Sequence, residues 1–125
     1  MIFVITPKFS LALVAACFLC AAAPARAASG AKAKAAELAG AVLFRDQGCA
    51  HCHGDGGTGG KKGPDLSRLR KDKLWPPAKI THQILNGGQK MPPFSEALTD
   101  EQVAQLVAYL RAKNKPIPPP AQPAQ

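Results

Sequence analysis

The sequence predicts a small all-α domain. Its two ends carry the signal. Ala36 to Gln47 is rich in Ala and Leu and free of proline, and Val103, Leu106, Val107 and Leu110 fall at i, i+3, i+4 and i+7, a single apolar stripe. Between them no stretch gives a convincing strand alternation, and six glycines crowd the run from Gly54 to Asp65, which must be a loop. A chain of 125 residues is enough for one such domain.

The elements follow in order. Met1 to Lys8 holds one positive charge, and Phe9 to Ala23 is an almost unbroken apolar run. Pro24 breaks it, and Ala25-Arg26-Ala27 places small residues where a signal peptidase reads. Residues 1–27 therefore read as a secretory signal peptide cut after Ala27, with an apolar run short of the ~20 residues that span a bilayer. Two alternatives stand beside this reading: a retained N-terminal anchor, or lipidation of Cys17, since Val14-Ala15-Ala16-Cys17 resembles a lipoprotein processing site. Residues 28–35 read as a flexible lead-in. The first helix should then run from Ala36 to Gln47 and stop at Gly48. Gly40, mid-helix at a cost of ~1 kcal/mol against Ala, points to another helix approaching closely.

Leu66 to Trp75 predicts a short helical turn with Leu66 and Leu69 inward. Pro77 opens a helix through Asn86 with Ile80, Ile84 and Leu85 as its apolar face, ended by Gly87-Gly88. Met91-Pro92-Pro93-Phe94 is extended, because a residue before proline is pushed out of the α region. Thr99 and Gln102 have capping-box spacing at the start of the last helix, with Asp100 and Glu101 at its positive end. Lys113 and Lys115 suit its C-terminal end. Residues 116–125 are a Pro-rich, disordered tail with no core to join.

The chemistry is concentrated in Cys49-Ala50-His51-Cys52-His53. Two cysteines bracketing two residues, with a histidine next, form the pattern of covalent c-type haem attachment. Two thiols three positions apart can each form a thioether to a porphyrin vinyl group, and the following imidazole then lies under the iron. A redox dithiol would expect a preceding strand, and a structural zinc site would expect four ligands; neither context is present in the sequence. A phosphate-binding reading of the glycine run fails too, since no Gly-Lys-Ser/Thr closes it. Candidates for the second axial position are Met91, His82, His51 and a lysine. Met91 is the only methionine after Met1 and lies on a proline-stiffened segment, so it is favoured over His82, which reads as a surface histidine.

In order and spacing, residues 36–113 resemble the class I cytochromes c of bacteria. The resemblance rests on Gly40-x-x-x-Phe44 before Cys49-x-x-Cys52-His53, then Gly63-Pro64-Asp65-Leu66, Gly87-Gly88-x-x-Met91-Pro92-Pro93-Phe94, and Leu106 with Tyr109-Leu110 in the last helix. It implies a domain over 36–115 of three to five short helices around one covalent haem c, with the first and last helices crossing near Gly40 and Phe44. It implies that the Pro64 carbonyl accepts a hydrogen bond from His53 Nδ1, and that Trp75 lines the propionate side. The expected cofactor-binding set is thus Cys49, Cys52, His53, Pro64 and Met91, with His53 and Met91 on the iron.

A saturated iron implies an electron carrier and not an enzyme, with no small-molecule substrate. The alternatives are a haem subunit or docking module of a larger dehydrogenase or oxidase, or a ligand-binding or peroxidatic haem protein. Removing residues 1–27 takes away Lys8 and Arg26 and no acid, which moves the formal charge from +8 to +6. Such a surface suits redox partners with acidic docking faces, met through lysines such as Lys61, Lys62, Lys71, Lys73 and Lys90. Nucleic acid is not expected of an exported haem protein with one Trp and one Tyr. The expected location is the periplasm, with membrane contact only through partners or a retained anchor.

Overall fold

The structure, a computed structural model, describes residues 24–121. The signal-peptide reading and its Cys17 alternative fall almost wholly outside the described residues. Four helices follow one another: α1 over Pro24–Asp46, α2 over Cys49–His53, α3 over Pro77–Asn86 and α4 over Asp100–Leu110, with a 3-10 turn at Asp55–Gly57 after α2. There is no strand among the described residues.

Helix α1 starts twelve residues earlier than expected, so residues 28–35 are helical and not an irregular lead-in. Alanine is the best helix former, and the segment Ala27–Ala35 is mostly alanine with two lysines, so propensity alone favours the extension. Its residues 27–35 are exposed, and burial begins only at Ala36. Gly48, at φ 74° and ψ 12°, is the left-handed residue that ends α1 and turns the chain into α2.

Helices α1 and α4 cross as the glycine suggested. A Cβ on Gly40 would collide with the Gln105 carbonyl and lie 2.7 Å from Tyr109 Cβ. One turn on, the Phe44 and Tyr109 rings meet at 5.5 Å between centroids, tilted by 53°. The stripe on α4 is buried as its spacing predicts, with Val103 and Leu106 at 1% and 2% exposure. Burying each such side chain contributes about 1.5–3 kcal/mol. Ile80 and Ile84 of α3, Leu69 and Leu98 complete the core, and Leu85 packs at its margin.

Thr99 and Gln102 form the capping box: Gln102 N–H donates to Thr99 Oγ1 at 3.3 Å, and Thr99 N–H to Gln102 Oε1 at 2.9 Å. Helix α3 has the predicted bounds, opening on Pro77. The segment 66–75 forms turns without becoming a helix, with Asp72 N–H donating to the Arg68 carbonyl at 3.1 Å. Leu69 is buried there, as its position predicted. Lys115 does not serve the end of α4, which stops at Leu110; its role is described below. Residues 116–121 hold no helix or strand, yet they are not without a hold, because Arg45 Nη1 donates to the Pro119 carbonyl.

Candidate haem site

Helix α2 is little more than one turn, enough to place Cys49 and Cys52 at i and i+3 on one face with His53 next to them. Both thiols are half-buried and unpaired with each other. Burial pushes the Cys49 thiol above its usual value, so it stands as a neutral group in an apolar wall. His53 Nδ1 lies 2.9 Å from the Pro64 carbonyl, which can only accept, so Nδ1 carries the proton and Nε2 is left with a free lone pair. The bond expected from the resemblance is present.

Two cavities of about 430 and 350 Å³ share His53, Pro64, Lys90 and Met91 in their walls. The larger is closed by Leu66, Leu69, Ile80, Ile84 and Leu110, with Trp75 at its side. The smaller holds Cys49, Cys52, Pro92 and Phe94. These walls suit a flat apolar macrocycle: thiols at attachment spacing, an imidazole with a free nitrogen, and a thioether on the same cavities. Among the described residues no three His, Cys, Asp or Glu side chains gather in a group that could hold a metal ion.

Met91 is placed by its surroundings. Gly87, at φ 68°, lets the chain turn tightly enough that a Cβ there would lie 2.7 Å from the Pro92 carbonyl carbon. Gly88 N–H donates to the Met91 carbonyl at 2.8 Å. Gln83 Nε2 donates to the Gly87 carbonyl at 2.8 Å and comes within 3.9 Å of Met91 Sδ. His82 is exposed and lines neither cavity. His51 is exposed at the rim of the smaller one.

Sequence reasoning missed the roles of three residues. Gln83 falls between Ile80 and Ile84 on the inward face of α3, and that position was its only signal. Arg111 Nη1 donates to the Leu69 and Trp75 carbonyls at 2.9 and 3.1 Å, which ties the cavity wall at 66–75 to α4. Lys115 Nζ donates to the Gly56 carbonyl at 2.9 Å. Of the five lysines expected on a docking face, Lys62 and Lys90 line the site, whereas Lys61, Lys71 and Lys73 are exposed outside its walls.

Residues 35–110 match the family described as cytochrome C oxidase, cbb3-type, subunit III. The chain belongs to that family. It is a small class I-like c-type cytochrome, and its cofactor is covalently bound haem c. The cytochrome is 39% identical to the cbb3-type cytochrome c oxidase subunit FixP of Sinorhizobium medicae over 58% of its own length, but spans only 28% of FixP. It is 32% identical to cytochrome c6 of Thermosynechococcus vestitus, covering 62% of this chain and 71% of that one. Among solved structures it resembles the dihydro-heme d1 dehydrogenase NirN in complex with DHE, with 36% identity and a TM-score of 0.53, over 69% of this chain and 17% of NirN.

Proposed function

We propose that this cytochrome is an exported electron carrier in which Cys49 and Cys52 hold the haem by thioethers and His53 and Met91 are the axial ligands. The bound haem supplies a one-electron couple. The protein residues hold that couple in one coordination state. The observation that carries the reading is the His53–Pro64 bond beside Met91 on the same two cavities. Pro64 fixes the ring and raises the basicity of Nε2. Gln83, Gly87 and Gly88 hold the Met91 segment, so its thioether would be presented to the haem by a fixed backbone. With His53 and Met91 both on the iron, a substrate or oxygen would have to displace a side chain to bind there.

Partners meet the rim where Cys49 and Cys52 stand beside Lys62 and Lys90. An acidic partner face is attracted there, because those lysines line the same cavity as the two cysteines. Export to the periplasm follows from the signal-like residues 1–27, and no helix of the described residues is long and apolar enough to cross a membrane.

The test is Met91→Ala with a redox titration. The weak charge-transfer band at the red end of the ferric spectrum should vanish, the potential should fall because thioether ligation favours Fe(II), and cyanide should bind quickly. If His82→Ala produces these changes and Met91→Ala does not, the ligand assignment is wrong. A second reading, a haem unit working inside a larger complex, is favoured by one finding: this chain matches only a part of an oxidase subunit. Chemistry at the iron is the same in both. Size-exclusion of the natively expressed protein separates them, as a free monomer or a co-eluting assembly.

A further inference from the structure

We propose that Lys115 is a positioning residue for the axial histidine, acting from the segment after α4 on the loop that carries Pro64. The inference rests on His53 being an iron ligand. The loop from Gly54 to Asp65 contains six glycines, and glycine loses more conformational freedom on ordering than any other residue. Its remaining hydrogen bonds are local: Gly57 N–H to the Gly54 carbonyl, Gly59 N–H to the His53 carbonyl, and Leu66 N–H to the Gly57 carbonyl at 2.7 Å. Among the described residues, the bond from Lys115 Nζ to the Gly56 carbonyl is the only hydrogen bond that ties this loop to a residue beyond Ser67.

The placement is built from several sides. Lys115 is half-buried, its ammonium lies 5.5 Å from the centre of the Tyr109 ring, and Asp65 offsets part of its charge. A Cβ on Gly57 would be 3.4 Å from Lys115 Nζ and 3.6 Å from Phe44 Cζ, so the loop lies against the α1–α4 crossing at this point. The path to the ligand is continuous. Lys115 holds the carbonyl of Gly56, the next carbonyl holds Leu66 N–H, and two residues before Leu66 the Pro64 carbonyl meets His53 Nδ1. Releasing Gly56 frees a glycine segment whose far end orients the histidine.

The experiment uses the haem-loaded protein with Lys115→Met and Lys115→Arg. In the diamagnetic ferrous state, NMR reads solvent exchange of the His53 Nδ1 proton, and a titration reads the potential. Loss of a charge-assisted hydrogen bond should speed that exchange by roughly tenfold or more in K115M. K115R, which keeps a charged donor, should restore slow exchange. The potential should move in K115M and return in K115R. Exchange and potential that are unchanged in K115M overturn the proposal. A shifted potential with unchanged exchange also overturns it, since that outcome is a charge effect without positioning. If the ferrous spectrum shows no haem-shifted His53 ring resonances in the unmutated protein, the ligand assignment fails instead, whatever Lys115 does.

Discussion

Met91 reaches its place through its neighbours' backbones as much as through its own side chain. Gly87 is held at positive φ with the Met91-Pro92 backbone folded over it, a conformation that an L side chain enters only with strain. Gly87→Ala should therefore disturb the Met91 segment before it disturbs the rest of the protein. The expected outcome is a weakened ferric red band and faster cyanide binding, measured by absorption, with far-ultraviolet dichroism close to that of the unmutated protein. Gln83→Ala should act in the same direction and more mildly, because one neutral hydrogen bond contributes about 0.5–1.5 kcal/mol. The Cys-x-x-Cys-His run and Met91 stand out in the sequence by side-chain type, and the structure brings His53 and Met91 onto the same two cavities. Gln83 and Lys115 were not legible, because what they grip is a carbonyl oxygen, and every residue has one. Arg111 escaped for the same reason, with its guanidinium spread over backbone groups some forty positions away.

At the level of elements, the two terminal helices support each other at one point of close approach. Gly40→Leu would put a side chain where the Gln105 carbonyl and Tyr109 Cβ already stand. Overpacking of this kind typically costs about 1–3 kcal/mol, and a domain of this size loses roughly 4–8 °C in Tm for each kcal/mol. A thermal melt of the haem-loaded variant should show that drop, and an unchanged Tm would argue against the crossing. At the other end of α4, Thr99→Ala removes the acceptor for Gln102 N–H and should cost about 1 kcal/mol, read by denaturant unfolding. Thr99→Ser should recover most of it. Helix α3 and the start of α4 were readable to within a residue, since proline, the capping box and the apolar spacing act locally, but α4 ends at Leu110, ahead of the lysines expected at its end. The start of α1 was not readable, because an exposed run of alanine and lysine has no apolar face to mark it and a helix there depends on propensity alone. The turns at 66–75, expected as a short helical turn, are held from beyond α4, where the Arg111 guanidinium donates to the carbonyls of Leu69, Arg70 and Trp75.

Across the whole molecule, charge and cofactor dominate. The core drawn from α1, α3 and α4 is small, and the two cavities cut into it are lined largely by apolar side chains. Without haem that lining faces water or collapses, so the apoprotein, made with Cys49 and Cys52 replaced by Ala, should lose much of its helical dichroism and bind a hydrophobic dye. A positive surface also predicts how the protein finds partners. Electron exchange with an acidic redox protein should be fastest at low ionic strength and fall as salt rises, with screening over ~10 Å at 0.1 M. Lys62→Glu and Lys90→Glu should lower the association rate more than Lys71→Glu or Lys73→Glu, because the first pair lines the attachment rim and the second does not. A stopped-flow series across salt concentrations reads both effects, and a rate that is flat with salt would point to an apolar dock.

Helix α1 has one more consequence. Its 23 residues span about 35 Å at 1.5 Å per residue, roughly twice the length of α4 on which its second half rests. Cleavage after Ala27, as the export reading has it, would leave residues 28–46 of this helix, about 28 Å, of which 28–35 are exposed and extend past the crossing with α4. That end would be held by propensity alone, so amide exchange there should be fast while exchange around Gly40 and Phe44 is slow.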